Sequence, residues 1–335
     1  MNVAVLLAGL LIILGGAYLF TNGVEWVGKR LRLSEGVVGS ILAGVGTAMP
    51  ETMVPVMAIY FGNGESRQEV GIGAILGAPF MLTCLTLPLL GMGIGLLSWL
   101  GKRSPAIKVN SLLVRMDLGF FLCAYGIALA MALLASRGLV GADTRWVFFV
   151  AAGLLIGLYL HYLKKLLMKE GVIGEDLNPL IFARKRDNPH TRVILLQVAV
   201  GFVMIIAGAH LFVDGVQHLA QSLGVSPLIL SLLITPIATE LPEKLNSLIW
   251  ISQRKDHLAI ANITGAMVFQ STFPVAVGLT GTAWRLDTYG LVSAGMAILA
   301  ALFLYGVIRI RGRWRPIHLF SGLIFYLGFI IILTF

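Results

Sequence analysis

The chain has 335 residues, 58% of them hydrophobic and only 12% charged. A soluble domain carries about 25% charged residues, so the composition excludes a soluble enzyme or a nucleic-acid-binding domain and leaves an all-α polytopic membrane protein. The net charge of +9 is then read loop by loop, as an orientation signal.

Apolar runs fall at residues 2–21, 36–61, 70–99, 110–135, 146–167, 192–213, 226–252, 258–280, 287–309 and 316–335. Each reaches the length of about 20 residues that crosses a bilayer, which predicts about ten transmembrane helices. Span one follows directly on Met1-Asn2-Val3, without the basic region of a secretory signal, and is expected to be retained. Span two holds Gly46-Thr47-Ala48-Met49-Pro50-Glu51. Span three carries Gly73-x-x-x-Gly77, a spacing that suits close helix packing. Gly71-x-Gly73 does not follow a soluble strand, so a dinucleotide fingerprint is excluded. Near the start of span four, Arg115 and Asp117 read as interfacial, and Cys84 and Cys123 lie in apolar spans without forming a disulfide framework.

The one substantial hydrophilic stretch, Lys169–Thr191, contains Asn178-Pro179, Asn188-Pro189 and the basic run Arg184-Lys185-Arg186, and reads as a linker near anionic lipid. In span six His210 and Asp214 stand at i,i+4, read as a local hydrogen bond, with metal binding or proton relay as the rival. Span seven holds Ala238-Thr239-Glu240-Leu241-Pro242-Glu243-Lys244, and span eight holds Asn262, Thr264 and Gln270. Loops after spans one, three, five, seven and nine hold 19 of the 25 lysines and arginines, while the opposite side holds four, Arg67, Arg137, Arg145 and Arg285. The basic loops are expected to face the cytoplasm of a cell-membrane protein, with both termini outside.

At a constant offset of 192, residues 13–51 match residues 205–243, with identities that include Gly16, Leu19, Phe20, Gly23, Val24, Ser34, Thr47, Pro50 and Glu51. The chain therefore reads as a duplication: residues 1–168 form a first five-helix repeat, 169–191 a cytoplasmic linker and 192–335 a second repeat. Five spans separate equivalent points, and an odd number inverts the second copy. Inverted repeats place their substrate near the membrane midplane at the repeat interface.

A glutamate in hydrocarbon is costly and marks function by default. Glu51 and Glu243 lie at matched depth, each after a proline that cannot donate a backbone hydrogen bond. Pro50 would free the carbonyl of Gly46 and Pro242 that of Ala238, beside Thr47 and Thr239. Carboxylates, hydroxyls and free carbonyls are the oxygen set that a hard cation such as Ca²⁺ takes.

On these residues the chain resembles the cation/Ca²⁺ exchanger superfamily, within it the Na⁺/Ca²⁺ exchanger type. That family carries Gly-Thr-Ser-x-Pro-Glu on the second span of each half and Gly-Asn-x-x-Gly-Ser-Asn on the third. The resemblance implies central ligands at Glu51, Glu243, Thr47 and Thr239, a core of spans two, three, seven and eight, and a moving gate of spans one and six. It also implies export of a divalent cation, Ca²⁺ first, in exchange for Na⁺, with H⁺ as the alternative counter-ion. Several positions depart from the pattern: Ala48, Ala78, Leu82 and Ala266 replace oxygen- or nitrogen-bearing groups, while Asn262 and Gln270 remain as further ligands. Glu240 stands where the family has serine, and Lys244 follows it at i+4. Glu240 reads either as an ion-pair partner of Lys244 or as a titrating acid at the site.

No Gly-x-Ser-x-Gly, His-Glu-x-x-His or Walker motif occurs, so neither an enzyme nor a resident cofactor is expected. The partners are inorganic cations and the lipid bilayer, with no nucleic acid. A channel or a non-transporting scaffold of the same fold would use the same residues, and oligomeric state is not legible.

Overall fold

The computed structural model describes residues 2–31, 48–62, 64–167 and 178–334. Among them the regular structure is helical throughout. Span one is Asn2–Arg30, and the described part of span two is Met49–Tyr60. Span three runs Glu65–Met81, a π-helical turn at Leu82–Thr86, then Leu87–Trp99. Spans four and five are Ser111–Ser136 and Trp146–Leu167. Span six is Thr191–Leu223, and span seven comes in two pieces, Pro227–Thr239 and Leu241–Ser252. Span eight is also two pieces, Asp256–Gln270 and Phe273–Gly281, before spans nine, Thr288–Arg311, and ten, Pro316–Thr334.

Eight of these segments are long and apolar enough to cross a bilayer unaided. Span seven does so only as two half-helices, and the first part of span two lies outside the described residues. Ten spans were expected, and ten segments appear in that order. Spans one and six overshoot their expected ends at 21 and 213. At 29 and 33 residues they are about 44 and 50 Å long at 1.5 Å per residue, more than the hydrocarbon layer needs.

Spans one and six pack against each other through glycines that reveal the internal symmetry. A Cβ on Gly9 would lie 2.9 Å from the carbonyl of Gly208, and one on Gly16 would lie 2.9 Å from that of Gly201. At the offset of 192, Gly9 corresponds to Gly201 and Gly16 to Gly208. The first contact is thus the second one with its halves exchanged, as a two-fold axis in the membrane plane requires. Small residues let the two backbones approach this closely.

The same exchange recurs elsewhere. Span five packs on the second piece of span eight, and span ten on the second piece of span three; span four meets span eight, and span nine meets span three. Gly73 and Gly77 seat span three against span seven, where their Cβ atoms would fall 2.4 Å from the Leu228 carbonyl and 2.2 Å from that of Leu232. Leu232 is the carbonyl that Pro236 leaves without an amide donor one turn on. Spans two, three, seven and eight therefore meet at the centre, with span two closing on span eight through Tyr60 Oη and Thr280 Oγ1 at 2.7 Å.

Candidate cation site at the two broken spans

The sequence reading placed Pro50 and Pro242 inside continuous helices. In span seven this is corrected: the helix stops at Thr239, Glu240 turns, and a new helix starts at Leu241 with Pro242 in its first turn. Proline is well tolerated there, because first-turn amides have no intrahelical acceptor to lose. In span two the helix that carries Pro50 likewise starts just before the proline, at Met49 after Ala48. Ala48 has φ −86° and ψ 3°, and its equivalent Glu240 has φ −84° and ψ 1°. Thr52 N donates to the Ala48 carbonyl at 3.3 Å, and Lys244 N to the Glu240 carbonyl at 3.0 Å. Each of these helices has a glutamate, Glu51 or Glu243, as its third residue.

Glu51 is buried, 4% exposed, next to Thr52, whose hydroxyl donates to the Ala48 carbonyl at 3.0 Å. The Glu243 side chain lies outside the described residues, as do Gly46 and Thr47. Thr239 is buried and its Oγ1 donates to the Thr235 carbonyl at 3.0 Å, which leaves the oxygen's lone pairs available. Pro242, four residues after Ala238, has no N–H to give its carbonyl.

Glu240 and Lys244 form the ion pair that their spacing suggested. Lys244 Nζ lies 3.1 Å from Glu240 Oε2 and donates to the Pro236 carbonyl at 3.0 Å. Both side chains are buried, Glu240 completely. The ammonium thus uses the last turn of one half-helix and the acid at the break together, where a C-terminal helix end favours positive charge.

In span eight Asn262 Nδ2 donates to Ser247 Oγ at 3.2 Å, and Ser247 lies one turn beyond Glu243. Gln270 is 1% exposed, and neither of its amide atoms has a hydrogen-bond partner among the described residues. It is the last residue before the break in span eight. Its counterpart by the third-span alignment, Leu82, opens the π-helical turn of span three. π-Turns recur at functional sites; here the irregular backbone is present in both halves and the polar side chain in one.

Asp117, near the start of span four, has partners that its sequence neighbourhood does not show. It is 1% exposed, packed inside the protein, and accepts from Thr264 Oγ1 at 2.6 Å and from Tyr162 Oη at 3.1 Å. This joins spans four, five and eight. Tyr162 was missed in the sequence, and an acid inside an apolar run was the signal that should have drawn attention to Asp117's partners. Arg103 and Asp256 were missed as well. They form a bidentate pair at 2.7 and 2.6 Å, 5% and 2% exposed, which binds the loop after span three to the start of span eight. The His210–Asp214 pair is open at 3.7 Å, and Asp214 takes the Arg67 guanidinium instead. Among the described residues, no three His, Cys, Asp or Glu side chains converge as a metal cluster.

Comparison with known proteins follows the same architecture. The chain is 26% identical to the putative antiporter CaxA of Alkalimonas amylolytica over 335 residues, covering 97% of this chain and 95% of that protein. It overlays the crystal structure of the H⁺/Ca²⁺ exchanger CAX with a TM-score of 0.76 at 14% identity, over 100% of this chain and 82% of that one. It overlays the sodium–calcium exchanger NCX_Mj with a TM-score of 0.56 at 20% identity, over 98% and 97% of the two chains. At these identities the overlays show a shared fold. The model of the sodium/calcium exchanger protein family matches residues 1–167 and 193–335, and the chain belongs to that family.

Proposed function

We propose that this protein is a secondary-active antiporter that exports a divalent cation, Ca²⁺ first, through one site closed by Glu51 and Glu243. Thr47, Thr239 and the carbonyls of Gly46 and Ala238 complete the shell, with Asn262 and Gln270 as further ligands. The two repeats are residues 1–168 and 192–335 around a cytoplasmic linker at 169–191, in a cell membrane with both termini outside. The observation that carries this reading is the matched helix start after Ala48 and Glu240, which sets a glutamate at the same helical position in each half. Two carboxylates neutralise one divalent ion in a low-dielectric site. The unpartnered Gln270 amide also supports it, since a buried polar group without a partner is costly and a cation would satisfy its oxygen.

Na⁺ is the counter-ion that the sequence resemblance implies. H⁺ is the second reading, favoured by the apolar Ala48, Ala78, Leu82 and Ala266 where additional ligands for coupling ions are expected. Ca²⁺ uptake into everted vesicles, driven by a Na⁺ gradient or a pH gradient imposed one at a time, separates them. A steep, cooperative dependence on Na⁺ at fixed pH supports Na⁺; uptake under a pH gradient alone supports H⁺. Uptake that follows the Ca²⁺ gradient and ignores both counter-ions would mean a channel and would overturn antiport.

A further inference from the structure

The turn between spans nine and ten presents charge that the transport site does not use. Arg311, Arg313, Arg315 and His318 line a cavity of about 310 Å³ with no acid among its walls. Several other arginines end on protein oxygens: Arg67 on Asp214, Arg103 on Asp256, Arg145 on the Thr280 carbonyl and Arg254 on the Lys102 carbonyl. The guanidinium groups of Arg313 and Arg315 have no such partner among the described residues.

The turn is built rather than loose. Gly312 supplies the left-handed step at φ +64°. Trp314, between the two arginines, is wholly buried and its Nε1 donates to the Leu304 carbonyl at 3.0 Å. His318 is 8% exposed; its Nδ1 accepts from the Arg315 amide at 3.0 Å, and its Nε2 lies 3.4 Å from an Arg311 nitrogen. Arg311, Arg313 and Arg315 are exposed around this one open cavity, so an anion seated there would meet three positive charges. Planar guanidinium forks match phosphate oxygens. Beside the cavity, Ile310 and Ile317 are 85% and 67% exposed, so apolar surface adjoins the charge as it does at a lipid headgroup.

We infer that this turn binds the phosphate of an anionic phospholipid, with the acyl chains lying along Ile310 and Ile317. Basic residues at a membrane boundary attract anionic lipid in general; a built cavity adds selectivity for one headgroup position. The test uses the full-length purified protein in mild detergent, melted with phosphatidylglycerol, phosphatidylcholine or inorganic phosphate. Phosphatidylglycerol should raise the melting temperature clearly more than phosphatidylcholine. Arg313→Gln with Arg315→Gln should erase that difference, whereas Lys185→Gln with Arg186→Gln, an equal charge loss on the linker, should keep it. Equal shifts from both lipids, persistence in the Arg313/Arg315 variant, or equal loss in the linker variant would overturn the site. An equal shift from inorganic phosphate alone would overturn the lipid as its occupant. If the glutamine variant does not fold, Arg313→Lys with Arg315→Lys keeps the charge and loses the fork. Its phosphatidylglycerol occupancy by native mass spectrometry should then fall about tenfold, the equivalent of one charge-assisted hydrogen bond, and unchanged occupancy would refute the inference.

Discussion

The helix starts at Ala48 and Glu240 share a backbone and differ in chemistry. At Ala48 and Glu240 the dihedrals agree within a few degrees, and the amide four residues on closes the same hydrogen bond. Yet the first copy surrounds its break with Ala48 and Thr52, and the second with a buried Glu240–Lys244 ion pair. The third-span partners differ likewise, Leu82 on one side and Gln270 on the other. The backbone geometry is set by proline, which needs no polar neighbour, so the halves can keep one architecture while their side chains diverge. What both retain at the break is the Pro-Glu step. In the proposed site Glu51 and Glu243, with Thr47 and Thr239, are the symmetric part, and the Glu240–Lys244 pair is the asymmetric part.

Twin substitutions test this division. The largest effect is expected at the symmetric pair: Glu51→Gln and Glu243→Gln should each abolish Ca²⁺ uptake in vesicles while the protein still folds, because each removes half the charge that neutralises the ion. Near-normal uptake by either would end the equivalence. Next comes the asymmetric pair. Lys244→Met would leave Glu240 as an uncompensated buried charge, a change that commonly costs about 3–5 kcal/mol, whereas Thr52→Val at the matching position removes only one hydroxyl hydrogen bond, about 1 kcal/mol. Thermal melting in detergent reads both. Glu240→Gln combined with Lys244→Met should be milder than Lys244→Met alone; simple additivity would show that the two do not interact, and would return Glu240 to the role of a titrating acid.

A smaller and deliberately equal effect is expected where the halves are alike in packing. Gly16→Ala and Gly208→Ala both push a methyl against the facing backbone, and overpacking typically costs about 1–3 kcal/mol. Their melting temperatures should drop by the same amount, and a clear inequality would break the two-fold relation between spans one and six. Smallest of all, Asp117→Asn keeps an acceptor for one of the Thr264 and Tyr162 hydroxyls and offers an amide donor to the oxygen of the other, and should change stability little; a large loss of transport at unchanged stability would draw Asp117 into the ion path.

Much of this was legible in the sequence because it depends on neighbours along the chain. Apolar runs gave the spans, the offset of 192 gave the inversion, and i,i+4 spacing gave the Glu240–Lys244 pair. The break at Glu240 was not, since Pro242 reads alike in a helix interior and in a first turn, and only the preceding residue's turn distinguishes them. The partners of Asp117 were not legible either, because Thr264 and Tyr162 lie 147 and 45 positions away. The Arg103–Asp256 pair, 153 positions apart, depends in the same way on how the two repeats dock.

The central claim is that one Ca²⁺ is held jointly by Glu51 and Glu243. Equilibrium binding of radioactive Ca²⁺ to the purified protein tests it without reference to any counter-ion. The native chain should bind one ion per molecule, and Glu51→Gln and Glu243→Gln should each reduce that binding to background. Retained high-affinity binding in either single variant would contradict a shared site.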